Sequence, residues 1–251
     1  MHQKLFLSLS FFKMPPVARQ LLIVGLLKEA KRTVQTQIVL VDTELYKDFK
    51  ISPTKLTREH PLYRFAKTLD GLDIPFLGRD ELTNLCNELG KLKNPNVFNG
   101  SLTIVLQSTL PVAPSISAFD AICLVTPTDP SVIPLLYRSI SSLRPYKRTG
   151  PFYIWVYGET RIEKGAEFFM ELKNELEQLT KEEIELIYAG CISIPNEEML
   201  LLSRFKVDIH TAFPQSTLQG GIQYAAERIF SFAELPLNHP TIEQLRGLLQ
   251  Q

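Results

Sequence analysis

The sequence predicts an α/β protein, a doubly wound, mainly parallel sheet with helices on both faces. Apolar runs of strand length alternate along the chain with segments of helical period, which is the pattern of a parallel sheet covered on each side. The chain has 251 residues, 45% of them apolar, enough to bury a substantial core in one domain.

The elements follow in order. A first strand is expected over residues 4–10. Lys4 before the apolar run Leu5 to Phe12 resembles a short signal peptide, but no small-x-small cleavage site follows, so a core strand is the expectation. Further strands are expected over 37–41, 72–77, 102–106, 121–126, 152–157 and 185–191. Helical stretches fall between them at 16–31, 79–91, 131–143, 162–180, 197–205 and 216–232. Two helix starts are marked: Asp129-Pro130-Ser131 precedes one, and Asn196 stands before Glu197-Glu198 at another. The polar stretch 47–60 carries Pro53 and reads as a surface loop, and 236–240 reads as a hinge. Residues 1–236 are therefore expected to form a single α/β domain, with 237–251 as hinge and short amphipathic C-terminal helix.

Charge narrows the partners. Lys plus Arg and Asp plus Glu both number 27, so no overall field favours nucleic acid or an anionic membrane. Cys86, Cys123 and Cys191 have no C-x-x-C spacing, and two of them sit inside apolar runs. They read as buried thiols in a reducing cytoplasm. No stretch of roughly 18 uncharged apolar residues suggests a transmembrane helix. His2, His60, His210 and His239 are scattered without metal-ligand spacing, and no G-x-S-x-G elbow is present.

Several segments resemble the MinD/ParA family of P-loop ATPases, especially its FlhG-like branch. Phe119 to Asp129 is similar to the family segment in which an acidic residue opens a strand ending in a Thr- and Pro-containing loop. Tyr188-Ala189-Gly190-Cys191-Ile192 resembles its "GxI" strand end. Pro214-Gln215-Ser216 resembles its "P-x-S" turn before a closing helix. Gln37 to Val41 with Asp42-Thr43-Glu44-Leu45 resembles the second strand and its "VDxDxx" end, and Gly71 to Pro75 the "GLxVxP" strand. The resemblance implies a P-loop NTPase-like fold over nearly the whole chain.

The nucleotide site departs from that pattern. A P-loop needs glycines so that successive backbone N–H groups close around phosphates, a Lys for the β/γ oxygens and a hydroxyl on magnesium. The family carries K-G-G-x-G-K-[S/T]; here the turn is Lys13-Met14-Pro15-Pro16-Val17-Ala18-Arg19. Lys13 falls at the signature-lysine position. Met14, Pro15 and Val17 replace glycines, Ala18 the P-loop lysine and Arg19 the Ser/Thr. The prolines remove N–H donors and hold φ near about −65°. Met14 and Val17 are expected to fill the space that phosphates would take. Where the family has a magnesium-orienting Asp the chain has Gln107, a poor magnesium ligand. Where it often has an adenine-reading Asn the chain has Tyr157-Gly158-Glu159.

Two residues remain as vestigial cofactor-binding candidates, Lys13 and Asp42. The resemblance implies that Lys13 could reach a partner's site across a dimer; an ordinary solvated lysine at a strand end is the plainer reading. Asp42 is either a surviving magnesium-site acid or a cap or turn residue at a strand end. The mixed charges of 163–183, interleaved with Phe168, Phe169, Leu172, Leu176 and Leu179, read as a solvated helix with one core-facing stripe. Arg138, Arg144, Lys147 and Arg148 read as solubilising residues around a loop. At the end of the chain, Ile242, Leu245, Leu248 and Leu249 share a helical face that carries only Arg246 as a cation, so docking on protein is expected ahead of membrane contact.

The expected function is that of a non-catalytic MinD/ParA-like pseudo-ATPase. It would act as a cytoplasmic, protein-binding regulator or scaffold in positioning or assembly of a cell-surface structure, with no cofactor. Its partner would be a protein, an active paralogue or a second copy of itself, with no role for nucleic acid. The alternatives are an active divergent ATPase using ATP and magnesium, or a related regulator of polysaccharide synthesis or export.

Overall fold

The computed structural model describes residues 5–33, 37–41, 51–53, 67–69, 74–78, 83–84, 87, 102–107, 121–143, 152–181, 184–193 and 217–230. Among these, nine strands form one sheet. They are β1 Leu5–Phe11, β2 Gln37–Val41, β3 Ile51–Pro53, β4 Lys67–Leu69, β5 Pro75–Leu77, β6 Leu102–Gln107, β7 Ala121–Pro127, β8 Phe152–Tyr157 and β9 Leu186–Ile192. The spatial order is β3-β4-β5-β2-β6-β1-β7-β8-β9. Every pairing from β5 to β9 in that order is parallel, and only β3–β4 and β4–β5 are antiparallel. Four helices are described: α1 Pro16–Thr33, α2 Ile133–Leu143 after a single 3-10 turn, α3 Ile162–Thr180 and α4 Thr217–Phe230.

The chain moves outward from β1 in both directions. α1 leads from β1 to β2 on one side, while α2 and α3 lead through β8 to β9 on the other. Right-handed crossovers in opposite directions place their helices on opposite faces. The burial pattern agrees. Leu7, Leu9 and Phe11 of β1, Ala121, Cys123 and Val125 of β7, and Tyr153 and Trp155 of β8 join one core cluster with Leu22 and Leu26 of α1 and Ile222 and Ile229 of α4. The alternate residues Ile122, Leu124, Ile154 and Val156 are equally buried but lie outside that cluster. On their side α3 packs on β8 and β9 and against α2. β7 and β8 are nearly continuous apolar runs because both of their faces are covered.

β1 is the core strand that the sequence predicts. The loop expected over 47–60 is corrected in part, because Ile51–Pro53 pairs antiparallel with Lys67–Leu69 at the sheet edge. Three residues carry no readable period, and a proline is tolerated there because an edge strand need not donate from both sides. The strand expected over 72–77 is shorter and begins at Pro75. Of the helix expected over 79–91, Thr83, Asn84 and Asn87 are described and helical. The expectations for 197–205, the 236–240 hinge and the 241–251 helix lie outside the described residues, as does Cys86. In α3 the buried stripe is Gly165, Phe169, Leu172, Leu176 and Thr180. Leu179 departs from the expected stripe and is 50% exposed. No described helix is long and apolar enough to cross a membrane.

Candidate functional site at the head of the central strands

Open doubly wound sheets bind ligands outside the carboxyl ends of their strands, where neighbouring connections leave in opposite directions. Here that place lies between β1 and β7, which pair from Leu7↔Ala121 to Phe11↔Val125. Two segments frame it, the β1–α1 turn and the β7–α2 loop.

The turn begins with Phe12, whose N–H donates to the Val125 carbonyl at 2.9 Å and prolongs the ladder. Lys13 follows with φ of 45°, in the left-handed region that few non-glycine residues enter. The Arg19 N–H donates to the Pro15 carbonyl at 3.0 Å, so Pro15 caps α1 and Pro16 takes its first position, where proline fits well. A helix start normally presents four backbone N–H groups without intrahelical partners. At Pro15 and Pro16 these groups do not exist, leaving those of Val17 and Ala18. Met14 turns inward at 6% exposure and joins the core with Ala18 at 0%. Val17 does not fill the turn as expected; it is 36% exposed.

The facing loop is organised by Asp129. Its Oδ1 accepts from the Ser131 N–H at 2.9 Å and its Oδ2 from the Ser131 hydroxyl. Its carbonyl accepts from the Val132 N–H at 3.0 Å. This is the capping role that the Asp-Pro-Ser sequence predicts. The structure adds a partner from across the crevice. Lys13 Nζ donates to Ser131 Oγ at 2.8 Å and lies 3.9 Å from Asp129 Oδ2. The Ser131 hydroxyl and then its amide hold the Asp129 carboxyl below the usual carboxylate range, and the Lys13 charge adds to this. Lys13 is thus an exposed lysine at the strand end, as the plainer reading has it, with a bonding partner in its own chain. Sequence reasoning identified Asp129 and Ser131 as a helix start but missed that they receive Lys13, and no local signal connects residues 118 positions apart.

At the next strand, Gly158 has φ of 101° and its N–H donates to the Ile192 carbonyl at 2.7 Å. Glu159 Oε1 then accepts from the N–H groups of Thr160 and Arg161, both at 2.9 Å. Those amide bonds, the Arg161 one foremost, hold its carboxyl below the usual range. Glu159 thus serves the start of α3, where the Arg161 side chain makes no cap bond. On the other side of β1, Ser10 is paired in register with Gln107 at the end of β6. Asp42 lies outside the described residues.

Among the described residues, the frame holds the helix-start N–H groups of Val17 and Ala18, the Lys13 ammonium bonded within the chain, and Gln107 at the end of β6.

No family model matches this chain, and no curated protein does so. Solved structures do. The MinD cell division protein of Aquifex aeolicus superposes with a TM-score of 0.56 at 14% identity, covering 93% of this chain and 99% of that one. The MinC:MinD cell division protein complex of Aquifex aeolicus gives a TM-score of 0.58 at 14% identity, over 93% of this chain and 98% of that one. A ParA family ATPase from Chlorobium tepidum TLS gives 0.59 at 10% identity, over 90% and 98% of the two chains. At such identities the likeness speaks for the backbone alone: this chain has the α/β fold, P-loop NTPase-like, that the MinD and ParA ATPases share.

Proposed function

We propose that this chain is a pseudo-ATPase of the MinD/ParA type, nearest in character to the FlhG-like branch, which works by binding another protein. The observation that carries this reading is the β1–α1 turn. Its prolines take away two of the four donors that a helix start would aim at a phosphate, and Ala18 stands buried where the resemblance places the P-loop lysine. Gln107 at the end of β6 supports it, since a neutral amide is a poor magnesium ligand. Lys13 and Asp42 are then vestiges of a cofactor site, and the protein needs neither ATP nor magnesium.

A protein partner is the natural use of such a fold once the nucleotide is gone. One of the similar structures is a MinC:MinD complex. In this chain the partner is a paralogue, a second copy or another protein engaged in building or positioning a cell-surface structure. On this reading residues 1–236 are the single α/β domain, and 237–251, outside the described residues, a hinge and short amphipathic helix. The direct test is steady-state hydrolysis by the purified full chain with ATP and magnesium. The expected result is phosphate release no faster than the buffer blank, unchanged by Lys13→Ala. Turnover that Lys13→Ala abolishes would refute the reading and restore the active-enzyme alternative.

A further inference from the structure

We propose that the outward face of α3 is a docking surface for a protein partner, and that the partner presents a Lys- and Arg-rich amphipathic helix. This face is a different one from the crevice at the head of the sheet, and the proposal holds whether or not the chain takes ATP. Outside its buried stripe, α3 carries two neighbouring rows of residues at i, i+4 spacing. One row is Glu163, Glu167, Glu171 and Glu175, all exposed. The other runs from Ile162 through Ala166 to Met170, with Ile162 50% and Met170 52% exposed. Of the five large apolar side chains left exposed among the described residues, three lie on this one helix, the third being Leu179.

The acidic row goes unanswered by its own chain. Among the described residues the ion pairs at α3 are Arg161–Glu159 at 3.8 Å, just before the helix, and Lys173–Glu177 at 3.6 Å; Glu163, Glu167, Glu171 and Glu175 take part in neither. The helix holds five glutamates against two lysines, Lys164 and the paired Lys173. Like charges at i, i+4 weaken a helix, and here such steps follow one another along the whole row. Only Glu163 lies in the first turn, where the helix dipole favours a carboxylate, and no basic residue stands in the last turn. The pattern is therefore unfavourable to the folded chain by itself. Cations arriving from outside would offset it, and the exposed Ile162 and Met170 give the same partner apolar contact beside the charges. An anionic membrane or a nucleic acid would meet repulsion on this face.

The probe is a synthetic helix-forming peptide of Lys and Leu with its leucines on one face, titrated into the full chain without nucleotide and followed by amide NMR. Saturable shifts are expected at Glu163, Glu167, Met170 and Glu171, with none at the β1–α1 turn. Raising salt from about 50 to about 300 mM should weaken binding about tenfold through screening. Glu167→Gln combined with Glu171→Gln should weaken it by about as much, and so should Met170→Ser, while neither variant lowers the urea midpoint. A peptide of the same composition with its leucines scattered around the helix should bind about tenfold more weakly than the amphipathic one. The proposal is overturned by the absence of saturation up to about millimolar peptide, by equal binding of the two peptides, or by shifts centred away from α3. It is overturned equally by variants that bind as wild type does, or that lose stability along with binding. Self-association of the full chain with no peptide present, seen in sedimentation and abolished by the double glutamine variant, would give the face to a second copy and overturn it as well.

Discussion

A lysine at position 18 would begin inside the core, because Ala18 is fully buried in the same cluster as Met14 and Leu22. Ala18→Lys should therefore destabilise the protein by about 2–4 kcal/mol, from overpacking together with the cost of burying or re-routing an ammonium. Urea unfolding measures it, and a change within about 0.5 kcal/mol would show that this position still has room for a P-loop lysine. Asp129 gives a second prediction. Its folded carboxyl titrates below the ordinary value, chiefly through the Ser131 hydroxyl and next through the Ser131 amide. The sign follows: the capping contribution is present above the unfolded value and is lost as pH falls through the lowered folded value. Side-chain NMR should find Asp129 titrating low, with Ser131→Ala raising it more than Lys13→Met. A larger effect of Lys13→Met would invert that order of causes. At this scale the sequence was legible where chemistry is local, as in the Asp129 cap. It was silent where two distant residues meet, as at Lys13 and Ser131.

Among the elements, the α3–β9 contact depends on a glycine. A Cβ at Gly165 would lie 2.6 Å from Cys191 Cβ and 2.9 Å from its Sγ, and would also strike the Tyr188 hydroxyl. Tyr188 could swing aside, but it donates to the Ile162 carbonyl at 3.1 Å, and Cys191 belongs to the β9 strand itself. Gly165→Ala gains helix propensity of up to about 1 kcal/mol, yet the overlap should outweigh it and leave a net loss of about 1–2 kcal/mol. A lower urea midpoint at unchanged slope is the expected outcome; a raised midpoint would mean that α3 and β9 part without cost. β7 and β8, buried on both faces, were readable because their apolar runs are nearly unbroken. β3 and β4 were not, since three residues and an edge proline look like any polar loop. α3 was readable as an amphipathic helix with its span of 162–180, but not in its whole stripe: Leu179 lies on the exposed side although its spacing suits the stripe.

For the molecule as a whole, the parallel sheet and its switch point follow from alternating strand and helix signals together with the handedness of crossovers. The site at that switch point was legible mainly by subtraction, in the glycines, lysine and hydroxyl that the β1–α1 turn lacks. What the structure supplies is the replacement: Met14 and Ala18 packed into the core, and Lys13 spent on Asp129 and Ser131. The claim that this head of the sheet no longer takes a nucleotide is tested most directly by calorimetric titration of the full chain with ATP and magnesium. The account predicts no saturable heat up to millimolar ATP. A saturable isotherm at micromolar affinity, roughly −8 kcal/mol, would contradict it.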